Sequence, residues 1–370
     1  MGFKFVTMHG YDNYDYGARL MTPSLNRFTK IDPYGRTIYR KLGNGTENFY
    51  TYDNNERLET STLKNDGNII STNTYRYDAT DNIIGISGIS ESAYNQEYNY
   101  DDLNRLISAG GMATEGKSED GSEFNAYTMN MDYNLMSSPL NYELAIMNPT
   151  GTKLTNFDYL YGTDIQPNAP IKVGDMTYTY DASGNPITID GEEVGRSMIY
   201  DSDNRLREIV DYRKNIMSRY TYNHTGERAV KRYGAFESMA VNGAPAGSKL
   251  DANAKYSAYV SPYYVENGSG TKSGAFSKHY YAGSDRIASK TADDAYFYFT
   301  DHLGSTTHIT DRSGDVAQYA AYTPYGSLFR EYRSVQPYKF NGKELDQETG
   351  YYYYGARYYD PTTALWLGTD

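Results

Sequence analysis

The feature that most constrains this chain is a phrase returning at intervals of just over twenty residues: two tyrosines one residue apart, then an aspartate. It occurs at Tyr50, Tyr52 and Asp53, at Tyr75, Tyr77 and Asp78, and at Tyr98, Tyr100 and Asp101. It resumes at Tyr178, Tyr180 and Asp181, in shorter form at Tyr200 and Asp201, and at Tyr220, Tyr222 and Asn223. Consecutive turn residues lie 25 and 23 apart in the first group and 20 and 22 apart in the second. That period suits one β-hairpin with its connection. Both tyrosines fall on one face of a strand, because side chains alternate with period two. The aspartate opens a turn by accepting backbone N–H bonds, and the Asn or Gly after it tolerates the left-handed conformation. Arg57, Arg105 and Arg205, each followed by Leu, begin the return strand; the guanidinium can pair with the aspartate or lie on a tyrosine ring.

Composition points the same way. The chain has 43 tyrosines among 370 residues, so tyrosine replaces Leu and Val as packing material, covering area with its ring while its hydroxyl reaches water or a neighbour. A net charge of −12 argues against nucleic-acid phosphate or anionic lipid as a partner. With no cysteine, neither a disulfide framework nor a thiolate metal site is possible. No segment reaches the apolar run of about 20 residues that spans a bilayer, and the first ten residues lack the hydrophobic stretch of a signal peptide. Helix signals are scarce. The expected fold is therefore all-β, with hairpins stacked side by side into a curved or spiralling sheet. Two polar, Gly- and Ser-rich regions, 108–123 and 240–274, read as long surface loops, and 125–168 as more irregular strands.

The last eighty residues carry a succession of rarer words: DHLGS from Asp301, His302 and Gly304; NGKELD from Asn341, Gly342 and Glu344; and YGARYYDP ending Gly355, Arg357, Asp360 and Pro361. In this order, after the tyrosine-aspartate repeats, they resemble the repeat-associated core that closes RHS and YD-repeat proteins, β-rich shells of bacterial polymorphic toxins and cell-surface proteins. The resemblance implies a YD-repeat sheet over 36–290 and a core module over 291–370. Residues 1–35 read as the degenerate tail of an upstream core, because Tyr16, Gly17, Ala18, Arg19, Pro23 and Asp32 align with Tyr354, Gly355, Ala356, Arg357, Pro361 and Asp370. It also implies a secreted or cell-surface location, although no export signal is visible. About thirty strands at ~4.8 Å spacing make a strip of roughly 140 Å, enough for an arc, a bowl or a short ring.

No nucleophile elbow, P-loop or HExxH word is present, and no catalytic residue or cofactor is assigned. His302 and His308 near Asp301 and Asp311 suggest a metal site only faintly, and Asp201, Asp203 and Asn204 lack the pattern of a calcium loop, so no metal is expected. The resemblance implies an aspartyl autoprotease beyond the core, in which paired acids share a proton. Asp370, thirteen positions after Arg357, falls where its first aspartate belongs, and Ala364 and Leu365 depart from the Gly-Arg usual before the Trp. Self-cleavage is not expected of this chain. The expected function is a non-catalytic shell or scaffold segment lacking its toxin, with a toxin domain or further shell segments as partners. The alternative is recognition of a glycan or protein by exposed tyrosine rows; a lesser one is an autoprotease in a longer parent form. Inward rings covered by opposite strands would favour the shell, and a flat exposed aromatic row would favour recognition.

Overall fold

The computed structural model describes residues 4–8, 11–15, 19–22, 27–89, 94–113, 126–148, 151–162, 167–241 and 244–369. Among them, 29 strands form one sheet in which each strand pairs antiparallel with its neighbours in sequence. The one interruption of that order is the hairpin Phe236–Val241 with Ala244–Leu250, which pairs only with itself, so that Arg228–Gly234 pairs directly with Lys255–Ser261. A second, four-stranded sheet over Glu344–Asp346, Tyr351–Tyr353, Tyr358–Asp360 and Leu365–Leu367 follows a single 3-10 turn at Phe340–Gly342.

The repeat phrase builds one turn many times. Asp53 N–H donates to Arg57 O, Glu56 N–H donates back to Asp53 O, and Asp53 Oδ1 accepts the N–H groups of Asn55 and Arg57. The fourth turn residue is left-handed: Glu56, Asn104 and Asn204 have φ of 66°, 58° and 59°, while Gly184 and Gly226 reach 90° and 85°. A register shift follows at Thr51/Tyr52, and again at Asn99/Tyr100, Thr179/Tyr180 and Thr221/Tyr222. This is a type I turn closed by a bulge, which adds right-handed twist at the same place in each hairpin.

Each turn is tied to its own hairpin and to the next. Arg36, Arg57, Arg105 and Arg205 bind Asp32, Asp53, Asp101 and Asp201 with N–O distances of 2.6 to 2.9 Å. Their guanidinium groups also lie over Tyr52, Tyr77, Tyr133 and Tyr222 of the following repeat, at 4.3, 4.5, 4.9 and 5.2 Å from the ring centroids. Those same tyrosines donate their hydroxyls backwards, Tyr52 to Thr37 O, Tyr77 to Leu58 O, Tyr133 to Leu106 O and Tyr222 to Leu206 O. Both roles foreseen for the arginine are thus used at once, and the second tyrosine of the phrase joins neighbouring hairpins. At Asp78 and Asp181 the arginine is replaced by Asn82 and Asn185, whose amides donate to the carboxylate at 2.9 and 3.0 Å.

The first tyrosine of the phrase points into the core. In Ala126–Tyr133, Tyr127, Met129 and Met131 are buried while the residues between them are exposed, as period-two alternation requires. Opposite this face lies the end of the chain. Tyr94 and Tyr127 meet Phe329 at 5.8 and 4.9 Å, Tyr142 meets Tyr325 at 6.0 Å, and Tyr220 meets Tyr358 at 5.0 Å. Tyr159 donates its hydroxyl to Thr363 O across the same interior. The sheet therefore curls around its own final seventy or so residues; burying each large ring contributes about 1.5–3 kcal/mol.

The loops expected at 108–123 and 240–274 are largely strands where the chain is described: Leu106–Ala113, Lys255–Ser261, Tyr264–Ser269 and Lys272–Ala282. The physical reason is cross-strand pairing of glycine with tyrosine. Gly111 pairs with Tyr127 and Gly268 with Tyr256, and a Cβ on either glycine would collide with the partner's ring. Glycine there makes room for an aromatic ring to lie on the backbone, where its scarcity of side chain looked like a loop. Where irregular strands were expected over 125–168, Ala126–Tyr133, Pro139–Asn148 and Gly151–Tyr161 are long regular strands.

Candidate functional site

The three rare words of the last eighty residues come together. Asp301 opens a turn of the repeat type, with Ser305 in place of arginine: Asp301 N–H donates to Ser305 O, and Asp301 Oδ1 accepts the N–H groups of Leu303 and Ser305 at 2.9 and 2.8 Å. Gly304 supplies the left-handed residue with φ of 77°. Asn341, itself left-handed, donates its backbone N–H to Ser305 Oγ and its amide to Leu303 O, while its side-chain oxygen accepts the Tyr354 hydroxyl. Gly342 packs against the Gly304 carbonyl, and Thr306 N–H donates to Lys339 O. Gly355 turns the YGAR segment with φ of 99°, and Arg357 lies 4.6 Å over the Trp366 ring. Asp360 is buried and caps its own turn through Thr362 N–H, and Pro361 O accepts the Ser327 hydroxyl. Asp370 lies outside the described residues, as do Tyr16, Gly17, Ala18 and Pro23 of the amino-terminal echo.

Glu344 leads to a feature that sequence reasoning missed. Glu344, Asp346 and Glu348, at every second position, face Arg228 and Lys231 of the large sheet in a nearly dry interior. Arg228 is bound to Glu344 at 2.9 Å and Asp346 at 2.7 Å; Lys231 is bound to Asp346 at 2.7 Å, Glu344 at 3.2 Å and Glu348 at 3.4 Å. Tyrosines enclose the group. Tyr259 accepts from Arg228 and donates to Glu344, Tyr353 OH accepts the Arg228 N–H, and the Tyr353 ring lies 4.2 Å beneath the guanidinium. Burial pushes the Glu344 carboxyl up, but the Arg228 and Lys231 charges outweigh it and hold it at about 2. Burial and the adjoining Asp346 charge push Glu348 the other way, up to about 7. Two cations thus meet three acids, of which one takes up a proton near neutrality.

A signal for this cluster was present in the repeat register. After Asp53, Asp101 and Asp201 the fifth residue is the inward-facing Leu58, Leu106 or Leu206; after Asn223 it is Arg228. An arginine at the apolar inward position demands buried partners, and the same-face acids of ELDQE are the matching set.

The remaining candidates are structural in their placement. Asp53 is pushed up by burial but drawn below the usual carboxylate range by the N–H and guanidinium bonds of Arg57; Asp101 is lowered first of all by the Arg105 guanidinium. Asp301, with no arginine, is raised by burial despite its N–H bonds. His302 is exposed and meets the Tyr75 ring edge at 5.2 Å. His308 is buried between the Phe299 and Tyr319 rings, where burial lowers it to about 4. Among the described residues, no three His, Asp or Glu side chains converge as metal ligands, and no helix is long and apolar enough to cross a membrane.

The chain matches no protein-family model. It is 25% identical over 235 residues to the double-stranded DNA deaminase toxin A of Burkholderia cenocepacia, covering 56% of this chain and 16% of that protein. It is 24% identical over 394 residues to toxin subunit YenC2 of Yersinia entomophaga, covering 91% of this chain and 39% of that protein. The crystal structure of TcdB2-TccC3 superposes with a TM-score of 0.73 at 19% identity, over 98% of this chain and 19% of that one. The chain thus spans well under half of each of these proteins. The tyrosine-aspartate repeats and the core words they lead to resemble those of RHS/YD-repeat proteins, the chain is similar in sequence to these toxins, and it is folded as the shell of Tc toxins is folded.

Proposed function

We propose that this chain is a non-catalytic shell segment of a polymorphic toxin or cell-surface protein, with 36–290 as its wall, 291–370 as the core that closes the wall, and 1–35 as the worn tail of an upstream core. The observation that carries the reading is the direction of the tyrosines. Among the described residues only Tyr34, Tyr212 and Tyr263 are strongly exposed, and they form no row. The inward rings are covered by Phe329, Tyr325 and Tyr358, which favours a mechanical wall over recognition through exposed tyrosine rows. A toxin domain or further shell segments are its partners in a longer assembly, and it acts outside the cell.

The core words serve as fasteners in this reading: the turn of Asp301 and Gly304 and that of Asn341 and Gly342 hold one upon the other, His302 rests on Tyr75 of the wall, and Glu344 anchors the closing sheet to the wall. Intact mass spectrometry and activity assays of the purified protein test it. The expected result is a single uncut chain without protease, nuclease or deaminase activity. A stable internal break, or turnover lost on mutating one acidic residue, overturns it.

A further inference from the structure

The ion cluster between wall and closing sheet holds an amine and a carboxyl group in contact, far apart in sequence and shut away from water. Lys231, on the wall strand Arg228–Gly234, reaches Asp346, on the closing strand Glu344–Asp346, with Nζ 2.7 Å from Oδ1, although 115 residues separate the two. The Lys231 side chain is 6% exposed and that of Asp346 0%. Groups held in one orientation with reacting atoms about 3–3.5 Å apart react far faster than free ones. Here the fold supplies that proximity.

Two neighbours supply the rest. Beyond Asp346, Arg228 Nη1 donates to Oδ2 at 2.7 Å, where negative charge collects if the carboxyl carbon is attacked. Beyond Lys231, Glu348 Oε1 lies 3.4 Å from Nζ, a carboxylate within reach of an amine proton. Burial pushes the Glu348 carboxyl up, and the Asp346 charge adds to it, to about 7, so both of its forms are populated near neutrality. Burial pushes Lys231 towards the neutral amine, but the charges of Asp346, Glu344 and Glu348 outweigh it and hold the ammonium. The ion pair is therefore the resting state, and loss of the amine proton is the slow step. A cavity of about 390 Å³ bordered by Lys231, Glu344 and Glu348 lies beside the group and has room for a released water.

We propose that Lys231 and Asp346 condense into an isopeptide bond that fastens the wall to the closing sheet covalently. Glu348 takes a proton from the Lys231 ammonium, and the freed amine attacks Asp346 Cγ. The Nζ–Cγ bond forms while Arg228 holds the oxyanion on Oδ2; the Cγ–Oδ1 bond then breaks, and Oδ1 leaves as water. Both protons of that water come from Nζ, the first carried by Glu348, and nothing is oxidised or reduced. One buried cation and one buried anion become a neutral amide, leaving Arg228 paired with Glu344 at 2.9 Å, and charges kept in a dry interior are costly. The reaction happens once per chain and turns nothing over, so the inference goes beyond the shell reading and does not depend on it.

Intact mass and tryptic mapping of the full chain, freshly purified and after days at neutral pH, test the bond. The expected result is a growing fraction lighter by one water, about 18 Da, and a branched peptide that joins residues 229–232 to residues 344–357 through Lys231 and Asp346. Lys231→Arg should keep the full mass, and Glu348→Gln should slow the loss at least roughly tenfold. A full mass throughout, a branch at Glu344 or Glu348, the same mass loss persisting in Lys231→Arg, or bonding as fast in Glu348→Gln as in the wild type overturns the proposal. The wild-type peptide map decides the matter even if a variant folds poorly.

Discussion

Arginine serves this fold at two depths. At the rim, Arg57 and its equivalents bind an aspartate four residues back and cover the next tyrosine while staying in touch with water. In the interior, Arg228 occupies the position that the repeat gives to leucine, and it is wholly enclosed by Glu344, Asp346 and tyrosine rings. Surface pairs are worth little singly, because water competes for both partners and screens them. A buried pair is different: its net contribution is small, but removing one partner strands the others in a dry interior. The rim arginines therefore act as many small staples between hairpins, and Arg228 as one lock between wall and closing sheet.

The largest expected effect breaks the lock. Arg228→Met leaves Asp346 and Glu344 with Lys231 alone and should destabilise the protein by about 3–5 kcal/mol, read as a drop on the order of 10 °C in Tm. If Arg57→Met lowers Tm as much as Arg228→Met does, depth has nothing to do with it.

Acidity sharpens the contrast next. Glu348, raised in the fold to about 7, favours folding more as pH falls from 8 towards 5, since the folded state takes up its proton first. Glu344, held at about 2, contributes stability above its ordinary range that is lost as pH falls below about 4.5, and the lowered Asp53 and Asp101 lose theirs in the same acid window. Thermal unfolding across pH 4 to 9 should show maximum stability near pH 5 to 6, and Glu348→Gln should flatten the decline between pH 6 and 8. A decline unchanged in Glu348→Gln would assign it elsewhere.

Within the wall, Gly111→Ala should cost about 1–3 kcal/mol by forcing its methyl into the Tyr127 ring. A smaller loss, about 1 kcal/mol, is expected for Tyr77→Phe, which removes the hydroxyl bond to Leu58 O and little else. Urea unfolding midpoints of the two variants check the order, and reversal of that order would mean the glycine site relaxes freely.

What the sequence made legible follows from how local each feature is. The turns from Asp53, Asp101 and Asp201 depend on residues within four positions, so their hydrogen bonds could be read directly, as could the left-handed Asn104 and Asn204, though in the first turn Glu56 takes that conformation in place of an Asn. The strand Leu106–Ala113 could not, because its glycines are explained only by Tyr127 on the next strand. The lock was harder still, since Arg228 and Asp346 lie more than a hundred residues apart. Each half nevertheless broke a local rule, an arginine at an inward position and acids on one strand face, and two such violations of opposite sign are a readable pair. The convergence of DHLGS, NGKELD and YGAR upon one another came from no periodicity at all, but from the packing of turns.

The central claim is that wall and closing module are one cooperative body, and native-state hydrogen exchange measures that most directly. The account predicts that in the wild type the amides of Ile216–Tyr222, Arg228–Gly234 and Tyr351–Tyr353 exchange through a common opening, and that Arg228→Met lowers the protection of all three together. Loss of protection confined to Tyr351–Tyr353, with the wall strands unchanged, would contradict it.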